Sequence, residues 1–271
     1  MRSPWLAPLL LTFACAAPPL EHRLTGDAIV LLGEVHDNPE HHRLRLTLLR
    51  RALEAGWRPA LALEQLDRER QADVERARRE RPRDAQHVIE AAGGTGWRWD
   101  FYRPFVALAL EYELPLVAAN LSRADAKAIA QGGLGTAFDA DARARLGLER
   151  EVPADLQAAQ ERAVHAGHCF ALPPEAWPGL ARAQLARDAV MADALRAHGP
   201  RGVVLLAGNG HVRRDLGVPR WLPAADQPRV FAVGYLEEGD APPPGAFDAV
   251  VTTERVERPD PCEAFRRGAD A

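Results

Sequence analysis

From Ala28 onward the chain repeats one pattern, short apolar runs separated by long amphipathic stretches. Such alternation specifies strands joined by helical crossovers, and therefore a parallel sheet, because parallel neighbours need a long connection between them. The runs are Ala28-Ile29-Val30-Leu31-Leu32, Ala60-Leu61-Ala62-Leu63, Leu116-Val117-Ala118-Ala119, Val203-Val204-Leu205-Leu206-Ala207 and Val230-Phe231-Ala232-Val233, with Ala249-Val250-Val251-Thr252 as a sixth. The expectation is an α/β fold, a mostly parallel central sheet flanked by helices. Asp37-Asn38-Pro39-Glu40 supplies a cap, a first-turn proline and an acid near the positive end of the helix dipole, so a helix should run to about Ala55. Asp67 to Arg83 reads as a solvated helix. Trp97, Trp99, Phe101, Tyr102 and Phe105 open another helix and read as core, with Tyr102 hydrogen-bonding at its edge. No convincing strand lies between Asn120 and Gly202. Residues 26–258 are expected to form one domain with a helical insertion or cap over about 121–200, followed by a loose tail, 259–271.

With 271 residues the chain can bury a substantial core without disulfides. Its net charge is −4 and its basic side is arginine apart from Lys127, so no lysine-rich strip marks a nucleic-acid footprint, and none is expected as a partner. Residues 1–25 read as an export leader. Met1-Arg2 is a minimal positive region, Leu6 to Ala14 is a short apolar stretch, and Cys15-Ala16-Ala17 follows. Cleavage exposes either Cys15 for lipidation or, after Ala14-Cys15-Ala16, an ordinary small-residue end; Thr12 and Phe13 depart from the usual lipobox. The reading adopted is a lipoprotein. Of the three cysteines, Cys169 and Cys262 would remain, a pair that an oxidising periplasm permits to bridge but whose spacing does not require it. No Cys-x-x-Cys occurs, so covalent haem attachment and dithiol chemistry lack their residues.

Polar residues follow the strands: Gly33-Glu34-Val35-His36 after the first, Glu64 after the second, Asn120 after the third and Gly208-Asn209-Gly210-His211 after the fourth. In a parallel sheet these positions gather at the carboxyl edge, where open α/β sheets hold ligands. Glu34, His36, Glu64 and His211 together suit a divalent metal such as zinc, manganese, iron or cobalt, since imidazole and carboxylate serve all four. In a catalytic version Glu34 or Glu64 acts as general base on a water. The duller alternative is that these side chains only satisfy loop backbone and cap helices. No Gly-x-Ser-x-Gly occurs, so a serine hydrolase lacks its nucleophile. His41 and His42 are expected to face solvent, and His165 and His168, at i, i+3 spacing, to form a polar helix face or a ligand pair.

Leu32-Gly33-Glu34-Val35-His36-Asp37-Asn38-Pro39-Glu40-His41-His42, Leu63-Glu64-Gln65, Tyr102-Arg103-Pro104, Ala118-Ala119-Asn120-Leu121-Ser122-Arg123, His168-Cys169, Arg187-Asp188 with Met191, and Gly208-Asn209-Gly210-His211-Val212-Arg213-Arg214-Asp215 resemble the ChaN-like haem-binding lipoprotein family of the Tiki, TraB and erythromycin-esterase superfamily. The resemblance runs from about Gly26 to Thr252. It implies an α/β fold with a helical subdomain, placement on the periplasmic side of a bacterial envelope with an outer-membrane lipid anchor at Cys15, haem or iron handling, and a homodimer around stacked haems. Haem needs an axial ligand and basic partners for its propionates. Tyr102, His168, Arg123, Arg213 and Asn120 are the candidates, although Arg213 and Arg214 could instead pair with Asp215 or neighbouring acids. The same superfamily contains metal-dependent proteases and esterases with two Gly-x-x-His motifs and glutamates, matched here by Gly33 to His36, Gly208 to His211, and Glu64. Haem or iron binding is therefore expected first, a metal-dependent hydrolase second, and a non-catalytic envelope scaffold third.

Overall fold

The structure is a computed structural model that describes residues 20–260 and 262–263. Cys15, the leader up to residue 19 and the end of the tail lie outside the described residues. The apolar runs become β1 (Ile29–Leu32), β2 (Ala60–Asp67), β3 (Leu116–Asn120), β4 (Val203–Leu206), β5 (Val230–Glu237) and β6 (Ala249–Thr253). They form one sheet in the order β3-β2-β4-β1-β5-β6, every pairing parallel. Both faces of β1 to β5 are covered, which is why those strands read as continuous apolar runs with no polar alternation, whereas the edge strand β6 alternates half-buried with exposed positions.

One face of β1, β2 and β4 presents Val30, Leu32, Leu61, Leu63, Val204 and Leu206. Against it pack α1 (Pro39–Glu54), α2 (Gln71–Glu80), α3 (Ala85–Ala92) and α4 (Trp99–Glu111), through side chains such as Leu49, Leu53, Phe105 and Ala109. The opposite face presents Ile29, Leu31, Ala60, Ala62, Val203 and Leu205 to Met191, Ala192 and Leu195 of α8 (Trp177–Arg196). Each such aliphatic side chain contributes about 1.5–3 kcal/mol on burial. The small residues Ala60 and Ala62 let α8 lie close to the sheet. Preceding α8 are α5 (Arg123–Gly132), α6 (Ala140–Leu146) and α7 (Ala154–Gly167); a short helix, α9 (Asn209–Val212), follows β4. α5 packs on α8 away from the sheet, around Leu121, Ile129, Ala183, Ala186 and Val190. The region without strands is thus helical throughout, and its last helix is also the sheet's cover on that side.

Two strands run further than their apolar runs. β2 continues through Glu64 and Gln65 to Asp67, with a register irregularity against β3 between Leu63 and Asp67. β5 continues to Glu237, whose carboxylate is buried but accepts from Arg258 at 2.8 and 2.6 Å and from Asn38 Nδ2 at 2.9 Å. The Arg258 guanidinium holds this carboxyl down at about 2. Arg258 also donates to Asp37 at 2.9 Å, and Cys262 is disulfide-bonded to Cys169, with Cα atoms 5.4 Å apart. The chain end that reads as loose is held to the body at both points.

Asn38 joins the start of α1 to this cluster. Its Oδ1 accepts from the backbone N–H groups of Glu40 (3.0 Å) and His41 (3.2 Å), and Pro39 occupies the first helical turn, where no N–H is needed. Asn38→Ala removes the cap and one donor to Glu237. The expected cost is about 1–2 kcal/mol, read as a lower urea midpoint at unchanged m-value.

Candidate functional site

The strand order sets three carboxyl ends side by side. Leu32 of β1 and Leu63 of β2 are both register partners of Leu206 in β4. The residues just beyond them, Glu34, Glu64 and Gly208, consequently meet at one point of the sheet edge.

The Glu34 side chain is fully buried. Its Oε1 accepts from the Tyr102 hydroxyl at 2.5 Å and from His36 Nδ1 at 2.7 Å, while Oε2 accepts from the Arg45 guanidinium. Arg45, also fully buried, donates to the Leu32 carbonyl at 3.1 Å and to His42 Nδ1 at 2.9 Å. His42 Nε2 donates to the His36 carbonyl at 2.9 Å, so the His42 proton sits on Nε2 and Nδ1 is the acceptor. Burial pulls the Arg45 guanidinium down to about 10, which leaves it charged, and pushes His42 down to about 4, which leaves it neutral. Burial pushes the Tyr102 phenol up, so it remains a donor.

This arrangement aims His36. With Nδ1–H donated to Glu34, the Nε2 lone pair is presented at the ring edge, and the side chain is 49% exposed. A carboxylate behind an imidazole fixes its tautomer and ring orientation, the usual support for an iron- or metal-binding histidine. Trp97 packs edge-on at 5.1 Å. Gly208 faces the ring, and a Cβ there would lie 3.0 Å from Nε2.

Glu64 stands on the other side of Gly208. Its Oε2 accepts from the Gly208 N–H at 2.8 Å, and its Oε1 lies 3.5 Å from His211 Nε2. His211 Nδ1 meets buried Asp188 of α8 at 2.6 Å. Burial pushes Asp188 up to about 6, against the pull of His211. In His211 burial disfavours the charged ring, but Asp188 and Glu64 outweigh it and raise the imidazole above its ordinary value. In Glu64 burial acts upward, and His211, His36 and the Gly208 N–H together hold the carboxyl below its usual range. Asn120 Nδ2 donates to the Glu64 carbonyl at 2.8 Å and its Oδ1 accepts from Arg187 at 2.7 Å, which locks the end of β2 against β3.

A cleft of about 920 Å³ opens over these groups, with His36, Asp188 and His211 on the sheet side and Val164 and His168 opposite. Its size lies at the upper end of the roughly 300–1,000 Å³ of ligand pockets. Among the described residues, no group of three or more His, Cys, Asp or Glu is placed to hold a metal ion. The four-residue metal centre expected at Glu34, His36, Glu64 and His211 is not assembled, because both Glu34 oxygens are engaged by Arg45, Tyr102 and His36.

A family model described as haem-binding uptake, Tiki superfamily, ChaN matches residues 20–222. The chain belongs to this ChaN family. No curated protein matches it. Among solved structures, that of ChaN from Campylobacter jejuni, with cofacially bound haem, aligns at a TM-score of 0.65 and 23% identity, covering 82% of this chain and 85% of the other. A mutant of the erythromycin esterase EreC in its open conformation aligns at 0.48 and 17%, covering 92% and 82%. The likeness to the Campylobacter protein is one of fold.

Within this ChaN-family site the sequence-derived candidates divide. Glu34, His36, Glu64 and His211 come together, with Asn120 behind Glu64. Tyr102 lies beneath Glu34 at 1% exposure, its oxygen turned to the carboxylate and away from the cleft. His168 lines the far wall, its Nδ1 at 2.7 Å from the Val164 carbonyl. Arg213 lines the cleft but is paired with Asp215 at 2.9 and 2.6 Å. Arg123 is exposed at the start of α5, with Nη2 3.4 Å from where a Cβ on Gly96 would sit, beside the Trp97 loop. His41 and His42, expected at the surface, are buried; His41 accepts from the Val35 N–H at 3.0 Å and meets Thr253 Oγ1 at 2.9 Å. His165 stacks on Trp177 at 4.0 Å. Arg45 and Asp188 were missed as site residues. The i, i+3 spacing of His42 and Arg45 was the available signal for the first.

The His42 tautomer generates a pH prediction. Its folded pKa of about 4 lies below the ordinary 6.5, so the contribution to stability is complete above about pH 6.5 and is lost as pH falls toward 4. Protonation would turn Nδ1 into a donor facing the Arg45 donor. Urea midpoints should fall between pH 7 and 4.5, by roughly 2–3 kcal/mol from this group, and His42→Gln should flatten that part of the profile.

Proposed function

We propose that the chain is an exported haem-binding protein that handles haem or iron at the bacterial envelope, with His36 as its iron ligand. The observation that carries this reading is the half-exposed His36 imidazole, oriented through Nδ1 by buried Glu34 at the mouth of a large cleft. Family membership supplies the ligand class. Haem, when bound, would supply an iron that an imidazole nitrogen such as His36 Nε2 could ligate. The residues present fit that group: Glu34 holds the ring and its proton, Gly208 leaves the ring edge clear of a side chain, and Trp97 offers an apolar face beside it. Arg123, near the Trp97 loop, is the propionate partner. His168 on the far wall is a further imidazole of the same cleft, facing His36 and His211. A second copy of the chain meeting the first across haem is the oligomer this reading expects. The Cys169–Cys262 bond supports an oxidising compartment, in keeping with periplasmic-side placement and lipid anchoring through Cys15 to the outer membrane.

Haemin titration of the purified chain tests the reading. A saturable Soret band is expected, lost in His36→Ala and shifted in Gly208→Ala, which crowds the ring, but retained in His211→Ala. A band that His36→Ala leaves unchanged overturns the assignment, and no saturable band overturns the function.

A second reading, hydrolysis, is favoured by the Asp188–His211–Glu64 chain. There Glu64 or His211 would take a proton from water, and Asp188 would hold the imidazole. The divalent metal that usually accompanies such a site does not fit the residues as placed, and no step is derived through it. Turnover of 4-nitrophenyl esters should then fall at least about 100-fold in His211→Ala and persist in His36→Ala; rates no faster than buffer remove the reading.

A further inference from the structure

A second cavity, of about 520 Å³, lies outside the cleft between the end of α6, the start of α7, the end of α8 and the turn that carries Trp221. A small core of Leu156, Leu185 and Leu216 separates the two, Leu156 lining this cavity and Leu216 the cleft. Four arginines line it, Arg145, Arg150, Arg196 and Arg220, against one carboxylate, Glu151. Arg145 reaches Asp193 at 3.3 Å and Arg220 reaches Asp155 at 3.7 Å. Among the described residues, Arg150 and Arg196 have no carboxylate within ion-pair distance. Arg196 also answers the negative end of α8, a role it can share with an incoming anion.

Two further features point the same way. α7 begins at the cavity wall behind Pro153, which offers no side-chain cap, so its first-turn N–H groups are left to other acceptors. The Trp221 indole ring lines the cavity and offers it an apolar face, while its N–H is buried away from that space and has no acceptor. The rest of the wall is apolar, with Leu146, Leu156 and Leu222 beside the indole ring.

We propose that this cavity binds an amphipathic organic anion, a carboxylate head on an apolar body, independently of the cleft. The guanidinium groups of Arg150 and Arg196 take the carboxylate, supported by the α7 N-terminus, and the indole and leucines cover the apolar body. Hydrogen bonding from guanidinium to carboxylate gives the head its specificity.

Isothermal titration of the full chain with decanoate, decanol and inorganic phosphate tests this. Decanoate is expected to bind at one site per chain, at least tenfold more tightly than either other probe. Arg150→Gln with Arg196→Gln, both exposed and therefore neutral to folding, should weaken decanoate at least tenfold, and Trp221→Phe several-fold. Prior saturation with haemin should leave decanoate binding intact. Equal binding of decanol, equal binding of phosphate, indifference to the paired arginine changes, or displacement by haemin would each overturn the proposal.

Discussion

The ion pair between Arg45 and Glu34 is the constraint around which the carboxyl edge is organised. A fully buried guanidinium and a fully buried carboxylate persist only because each meets the other and further polar groups. Removing one partner of such a pair typically costs about 3–5 kcal/mol, since the survivor is stranded in a low-dielectric interior. Here Tyr102 and His36 also meet the Glu34 carboxylate, and the Arg45 terminal nitrogens also reach His42 and the Leu32 carbonyl, while Arg45 Nε is left without a partner. The pair therefore does more than join α1 to the end of β1. It fixes the tautomers of two histidines, one buried and neutral, the other half-exposed with a free nitrogen edge. The chemistry offered at the surface is set one layer below it.

The edge has two halves that meet at Gly208. On one side a carboxylate sits behind His36; on the other Asp188 sits behind His211, with Glu64 in front. The halves differ in charge logic. His36 is oriented by an anion already neutralised by Arg45, whereas His211 lies between two carboxylates that favour its protonated form. An imidazole whose Nδ1 is engaged by a carboxylate presents Nε2 for ligation, and a protonated one suits proton transfer or anion contact. That asymmetry sets the two histidines of the edge apart.

Much of this was legible in the sequence. All six strands coincide with apolar runs, and for β1 to β5 the reason is that a strand buried on both faces leaves no polar residue within its middle. The convergence of Glu34, His36, Glu64 and His211 followed from parallel strands and their shared carboxyl edge. What the sequence hid was pairing in depth. Arg45 sits in a helix with several other arginines, and only its i, i+3 spacing from His42 sets it apart from its solvated neighbours. His41 and His42 looked like surface residues at a helix start until Val35, Thr253 and the His36 carbonyl supplied their partners. Tyr102 read as a ligand candidate because its residue type fits, yet its oxygen is directed at a carboxylate 68 positions away in sequence. β5 runs past its apolar run to Glu237 because β6 pairs with it there, and Arg258 neutralises the buried carboxylate, contacts that no periodicity announces.

The bond between Cys169 and Cys262 closes a covalent ring of chain that contains α8, β4, β5 and β6. β1 lies in the sheet between two strands of that ring, β4 and β5. A single proteolytic nick anywhere inside the loop, for instance in the turn around Gly239 and Pro242, leaves both fragments tied together and the strand between them still gripped. The clasp converts a separating cut into a survivable one.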